Sequence, residues 1–382
     1  MKRIIILLFI ALHISCGKEP DQNIAGDKKE ELILKELQHQ LKKDLADDNI
    51  DGSLSATVVK DGKIIWSEGF GYANKEADIK SHAGTIYRVG SITKTFTAFL
   101  MMQLYEEGII ELNDTIEKYV PEVTQIKGYS EDTKFTFIQL ASHTAGLSRE
   151  PDMEEASTGP LQEWENKLSQ ALPTVTFIGK PNGEYAYSNV GYAILGLALS
   201  RASNQPYIEL IKHKIFDPLK MNNSFFSVPE NKWFQVAKGM EGGPFGELNT
   251  DIPKSEHSGR GYKVPNGAIY STPNDLAKFM IAMMGYESLI SRASLEKMSQ
   301  PPLREEDDWW QSYGLGVRLL RDDIVSTAGH TGAVSGYTAN FMYQREGGYG
   351  IVTMRNYNWG MTNIDLRSFA VLRRLKKIAN EE

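Results

Sequence analysis

Ser91-Ile92-Thr93-Lys94, standing directly behind Gly90 and running into Thr95-Phe96-Thr97-Ala98-Phe99-Leu100, carries more information about this chain than any other segment. Ile92, Phe96, Phe99, Leu100 and Leu104 recur at helical spacing, which predicts a helix from Thr93 to Glu107 with one buried stripe. Residues three apart share a helix face, so the Ser91 hydroxyl and the Lys94 amine can meet. A serine hydroxyl is a weak nucleophile at neutral pH, and an amine that takes its proton removes that limit. The front of a helix also offers unpaired N–H groups and a dipole that favours developing negative charge. Gly90 lets the backbone approach a substrate closely. An ordinary N-cap serine followed by a surface lysine would look the same. A second tetrad of this form, Ser294-Leu295-Glu296-Lys297, lies in a polar helical segment and reads as a solvated face.

Two further elements separate the tetrads. One is Tyr187-Ser188-Asn189; the other is Gly329-His330-Thr331-Gly332, followed by Ala333 and the strand-like Tyr337 to Tyr343. Serine with lysine, then Tyr-x-Asn, then a basic residue with Thr-Gly, in that order, resembles the penicillin-recognising serine hydrolases. The likeness is to the branch that holds class C β-lactamases, DD-peptidases, esterases and D-aminopeptidases. Gln139 to Leu147 (QLASHTAGL), Ile215 to Met221 (IFDPLKM) and Asn266 to Ala277 (NGAIYSTPNDLA) resemble further segments of that branch. The resemblance covers roughly residues 50 to 370. It implies an α/β (α+β) fold of the β-lactamase/transpeptidase type. An antiparallel sheet lobe is flanked by helices, a mainly helical lobe is inserted at about residues 105–250, and the active site lies at the lobe junction.

What the resemblance implies for each residue follows its motifs. Ser91 would attack a carbonyl and form an acyl-enzyme, and Lys94 would accept its proton, for which it must be neutral part of the time. Tyr187 would protonate the leaving group and activate water, a role that needs Lys94 nearby to favour phenolate. Asn189 would orient the substrate amide. His330, Thr331 and Gly332 would line the cleft on a strand, with the N–H groups of Ser91 and Ala333 as the oxyanion hole. The commonest family pattern has lysine where His330 stands. An unperturbed imidazole is mostly neutral at pH 7, so attraction for a substrate carboxylate is expected to be weaker here. Tyr72-Ala73-Asn74 matches Tyr-x-Asn but precedes the nucleophile in a hairpin, and His143 falls in a segment that forms a structural turn in the family. No H-E-x-x-H spacing and no G-x-S-x-G elbow occurs, so no metal, no organic cofactor and no Ser-His-Asp triad is expected.

Composition sets wider limits. The 382 residues, 41% hydrophobic and 24% charged, describe an ordinary globular chain large enough for one domain or two intimate lobes. A formal net charge of -7, with no lysine- or arginine-rich tract, gives no reason to expect nucleic acid as a partner. The basic cluster Arg373, Arg374, Lys376 and Lys377 reads as the solvated face of a terminal helix. Lys2 and Arg3 precede the apolar run Ile4 to Leu12, too short to span a bilayer and suited to a secretory signal. Cys16, the single cysteine, follows at once and resembles the lipidated residue of a bacterial lipobox, although His13 stands where an aliphatic residue is usual. An ordinary signal peptide with an incidental cysteine is the alternative. The expected organisation is therefore a lipoprotein signal peptide at 1–16, a polar tether at 17–29 and a hydrolase domain at 30–382. Such a protein would sit in a bacterial cell envelope, held to a membrane through an N-terminal lipid. Its substrate would be a small molecule or peptide, with a peptidoglycan-derived peptide plausible from that location. Two alternatives remain at this level: a slowly turning over penicillin-binding sensor or scaffold, and a D-aminopeptidase.

Ile33, Leu37, Leu41 and Leu45 predict an amphipathic helix over 30–47, and Ser55–Lys60, Asp61-Gly62 and Lys63–Trp66 predict a β-hairpin. Strands are expected again at Gly314–Leu319, Gly336–Tyr343 and Tyr349–Met354, ahead of a terminal helix.

Overall fold

The computed structural model describes residues 21–242, 248–302 and 310–380. Cys16 and the signal-like segment lie outside the described residues. Helix α1 (Asp21–Asp47) begins inside the stretch expected to be a tether. Polar composition was the ground for that expectation, but adding residues to a helix already nucleated costs little. The packed Ile33, Leu37 and Leu41 stripe supplies the nucleus.

Strand β1 (Ser53–Lys60) turns through Asp61 and Gly62 into β2 (Lys63–Asn74), followed by the short β3 (Ile79–Lys80). Both turn residues have positive φ, 47° and 75°, the backbone of a two-residue hairpin turn. Short strands β4 (Tyr87–Arg88) and β7 (Tyr270–Ser271) pair with each other, as do β5 (Glu241–Gly242) and β6 (Leu248–Asn249). The remaining strands come from the other end of the chain: β8 (Gln311–Tyr313), β9 (Arg318–Arg321), β10 (Ser326–Val334), β11 (Tyr337–Gln344) and β12 (Tyr349–Arg355). They join the hairpin in one eight-stranded antiparallel sheet of order β3-β2-β1-β12-β11-β10-β9-β8. Leu54 opposite Arg355 and Lys60 opposite Tyr349 mark the seam where the two ends of the chain meet.

The expected strand at Gly314–Leu319 is mostly a turn. Gly314 N–H donates to Val317 O at 2.9 Å, and Gly316 has φ +73°. A side chain on Gly316 would place its Cβ 2.4 Å from the Ala98 Cβ, so the glycine lets this turn press against the central helix.

That helix, α2 (Thr93–Glu106), is buried on every side from Thr93 to Leu104 rather than along one stripe. Burial all round requires its polar side chains to find partners. Thr95 Oγ1 donates to Gly316 O at 2.7 Å and Thr97 Oγ1 to Pro265 O at 2.6 Å. Helices α3 (Phe137–Ala141), α4 (Trp164–Ala171) and α5 (Asn189–Ser203) join α2 in the main apolar core. On the opposite sheet face, α1 and the helix Ile364–Asn380 cover Leu54, Val58, Met342 and Ile351 in a second core. Among the described residues, no helix is long and apolar enough to cross a membrane.

Candidate active site

Ser91 lies in a single 3₁₀ turn, Gly90–Ile92, that feeds directly into α2. Two glycines make the approach to β10 possible. A Cβ on Gly90, whose φ is +53°, would stand 2.9 Å from Ala333 N. A Cβ on Gly332 would stand 1.9 Å from Val89 O and 3.1 Å from Ser91 N. Bulk at either position would part the serine turn from the strand.

Lys94, fully buried one turn along, reaches back: its Nζ lies 3.2 Å from Ser91 Oγ and donates to Asn266 O at 3.0 Å. Its Nζ is 4.9 Å from the Tyr187 ring centre and 5.7 Å from that of Tyr192. Burial holds the amine's proton affinity well below that of an ordinary lysine. Glu150 opposes this, while the positive charges of Arg149, Lys263 and Arg260 reinforce it.

Burial pushes the Tyr187 pKa up to about 12, opposed by the nearby Ser91 hydroxyl. The resting phenol is therefore protonated, and the Lys94 amine that the relay role requires lies close to its ring. A dry site disfavours charge on both groups beside the serine, holding the phenol protonated and depressing the amine's proton affinity.

Ser188 caps α5 by accepting from Gly191 N–H, which sets Asn189 at the helix start facing Lys94's surroundings. Asn189 Nδ2 donates to Glu150 Oε1 at 2.5 Å, and its buried Oδ1 has no protein partner. Asn266 Nδ2 donates to Asn189 O at 3.0 Å, so one residue ties the lysine to the Tyr-x-Asn segment. Burial alone would raise the proton affinity of Glu150. The Tyr262 hydroxyl, Lys263 and the Asn189 amide outweigh it and hold the carboxylate ionised.

His330 reaches the site but is not an open cation. It is buried, Nδ1 donates to Thr331 O at 2.5 Å, and Nε2 accepts from the Tyr313 hydroxyl at 2.9 Å. A carbonyl can only accept, which assigns the proton to Nδ1. Burial, with Lys94 and Arg318 nearby, lowers its pKa to about 3. The positive charge on this strand pair comes instead from β9. Arg318 pairs opposite Gly329, donates to Thr331 Oγ1 at 3.2 Å and to Asp365 Oδ2 at 2.9 Å, and lines a cleft of about 700 Å³ with Tyr185 and Tyr313.

His143 sits in a turn, with φ +61°, but its ring also packs 4.3 Å from that of Tyr187, and its Nδ1 accepts from Ser188 N–H at 3.1 Å. It is a positioning residue for the Tyr-x-Asn segment. Arg149, Glu150, Asn266, Tyr313 and Arg318 escaped the sequence reading. Asn266 opens one of the quoted family-like segments, and Arg149 and Glu150 follow another within three residues, so a longer window would have reached them.

The second tetrad is not a solvated face. Ser294 and Leu295 are buried in the helix Arg292–Met298, and Ser294 donates to the Glu106 carboxylate, while Glu296 and Lys297 are exposed. Tyr72 and Asn74 lie on β2, away from Ser91.

A serine turn beside a buried lysine, a tyrosine just ahead of a helix start and a Thr-Gly strand edge come together on an α/β scaffold. The same architecture occurs in three solved structures. A penicillin-binding protein homologue from Pyrococcus abyssi, an octamer, matches with TM-score 0.74 and 25% identity over 91% of this chain and 78% of that one. A β-lactamase/D-alanine carboxypeptidase from Yersinia pestis matches at TM-score 0.71 and 23% identity, covering 91% of this chain and 99% of that one. A D-stereospecific amidohydrolase from Streptomyces does so at 0.71 and 23%, covering 88% and 97%. The β-lactamase family model matches residues 41–370, and the chain belongs to that family of serine hydrolases. Among curated relatives, β-lactamase-like protein 2 of Dictyostelium discoideum is 31% identical over 87% of this chain and 61% of its own length. Protein flp of Staphylococcus aureus is 26% identical over 85% and 63%. The chain thus spans about three-fifths of the length of the curated relatives it matches.

Proposed function

We propose that the protein hydrolyses an amide or ester through a Ser91 acyl-enzyme, with Lys94 as base and Tyr187 as proton relay. The observation that carries this is the 3.2 Å contact between Ser91 Oγ and a fully buried Lys94 amine. Neutral Lys94 takes the hydroxyl proton as Oγ bonds to the carbonyl carbon. The developing oxyanion lies between the N–H groups of Ser91 and Ala333, donors that commonly contribute a few kcal/mol. Tyr187 gives its proton to the departing nitrogen or oxygen and recovers one from the Lys94 ammonium. In the second half water attacks the ester, its proton passes through the same pair, and Ser91 Oγ leaves reprotonated. Asn189, whose free Oδ1 can accept, orients the substrate amide.

Arg318 beside Thr331 supports a substrate with a carboxylate near the scissile bond, as in a peptide ending in D-alanine. His330 cannot serve that purpose while neutral. Cys16 lipidation and an envelope location complete the proposal, on the sequence pattern alone; incorporation of labelled palmitate that persists in Cys16→Ser would remove the anchor from it.

The hydrolase reading is tested by the intact mass of the full chain in detergent with benzylpenicillin over time, beside Ser91→Ala. A Ser91-dependent adduct supports the nucleophile, and its persistence favours a DD-peptidase or penicillin-binding role. Labelling of Ser91→Ala would sink the proposal. No adduct with the drug, but turnover of a neutral ester that needs Ser91, keeps the chemistry and removes the carboxylate preference.

A further inference from the structure

Behind the active site lies a second cluster of charges that the acyl-transfer chemistry does not use. Arg88, on β4 three residues ahead of Ser91, is 1% exposed, and Arg260 approaches from the turn before Tyr262. Both guanidinium groups line a cavity of about 110 Å³ with Glu256, His257 and Tyr270. Among the described residues, Glu256 is the only carboxylate on its wall. Arg88 Nη1 donates to Glu256 Oε2 at 2.7 Å. Arg260 Nη1 lies 3.5 Å from the same oxygen, close enough to pair in charge without making a hydrogen bond. The other carboxylate oxygen accepts from Ser335 Oγ at 3.1 Å.

That leaves Arg88 Nε and Nη2 and Arg260 Nε and Nη1 buried without a protein acceptor. The Tyr270 ring lies 5.7 Å from the Arg88 guanidinium carbon. His257 offers no negative charge; its Nδ1 is bonded to the Tyr270 hydroxyl at 2.6 Å. Two fixed positive charges therefore face one carboxylate. A guanidinium does not lose its proton in a protein, and a buried unpartnered charge is costly. The surplus is one positive charge with several N–H donors turned to a common space.

We propose that this cavity binds a small monovalent inorganic anion of the chloride type, held between Arg88 and Arg260. One negative charge completes the balance with Glu256. The volume admits an ion with a few waters, each taking about 30 Å³, and excludes a bulky organic anion. The site is separate from the substrate cleft but close to its machinery. Arg260 Nη1 lies 3.9 Å from where a Gly267 Cβ would stand, and Gly267 adjoins Asn266, the acceptor of the Lys94 amine. An anion here would offset the charge of Arg260 behind the catalytic lysine. The proposal stands whether or not the acyl-enzyme reading does.

The test uses the full chain in detergent. Crystals soaked in bromide are expected to show an anomalous peak between the two guanidinium groups. Thermal melting in sodium gluconate, with chloride replacing gluconate at constant ionic strength, is expected to rise by several degrees, and the rise should vanish in Arg260→Gln. Peaks confined to exposed lysines would mark adventitious ions and overturn the proposal, as would melting indifferent to chloride. Should Arg260→Gln fail to fold, the bromide map on the unaltered protein decides alone. Occupancy by sulfate or phosphate with no bromide signal would also refute it, since a divalent ion contradicts the charge count.

Discussion

Among the described residues the chain holds two Ser-x-x-Lys tetrads, each on or just before a helix, and the structure treats them in opposite ways. At Ser91 the lysine is buried and turned to the serine, and burial depresses the proton affinity of its amine. At Ser294 the serine is the buried partner, spent on Glu106, and the lysine is in water. A serine bonded to a carboxylate keeps its proton, because the carboxylate stabilises the O–H donor rather than accepting its proton at neutral pH. An exposed lysine remains an ammonium and cannot act as a base. The difference teaches that chemistry follows which member of the pair is taken out of water.

Breaking the comparison begins with the serines. Ser91→Ala is expected to lower acylation by on the order of 10⁴-fold or more, while Ser294→Ala leaves it unchanged, read by adduct formation in mass spectra. Equal losses in both would erase the distinction. Next in size are the lysines: Lys94→Met, matched in bulk and uncharged, should cost about 10²–10⁴-fold in acylation, and Lys297→Met nothing.

The pH profile sharpens the same contrast. Only neutral Lys94 can accept the proton, and its affinity for one is depressed by burial, so acylation of a neutral ester should be high at neutral pH. It should fall as acid protonates the amine. A rate still climbing tenfold per unit toward pH 10 would reveal an ordinary lysine.

Smaller in effect, Arg318→Gln should raise KM about tenfold for a carboxylate-bearing peptide and leave a neutral ester unaffected, the scale of one charged hydrogen bond. Smallest, Ser294→Ala should lower stability by about 1 kcal/mol in urea unfolding without touching activity. That change measures a structural serine against a reacting one.

Ser91, Lys94, Tyr187 and Asn189 were legible because their relations are local. Helical spacing joins the first two, and a capped helix start presents the second pair. The hairpin at Asp61-Gly62 was legible for the same reason, since two residues carry the whole turn. Arg318 was not. It reaches Thr331 through the pairing of β9 with β10, a register that no local pattern encodes. The strand expected over Gly314–Leu319 became a turn because Gly316 serves a close contact with α2 and Gly314 one with Met298, both set by tertiary packing. Helix α2 itself looked one-sided, since its threonines read as solvent-facing until Gly316 O and Pro265 O appear as their acceptors.

By itself the sequence determined the order of the motifs and the family and singled out Ser91 and Lys94 as the proposed nucleophile and base, because these depend on side-chain identity and short-range geometry. Tertiary structure alone decided the protonation states. Burial lowers the proton affinity of Lys94, makes His330 neutral, keeps the Tyr187 proton in place and leaves Arg88 and Arg260 with a surplus charge. A proton's affinity for its site is set by the water removed and the charges brought near, and both arrive from residues far away along the chain.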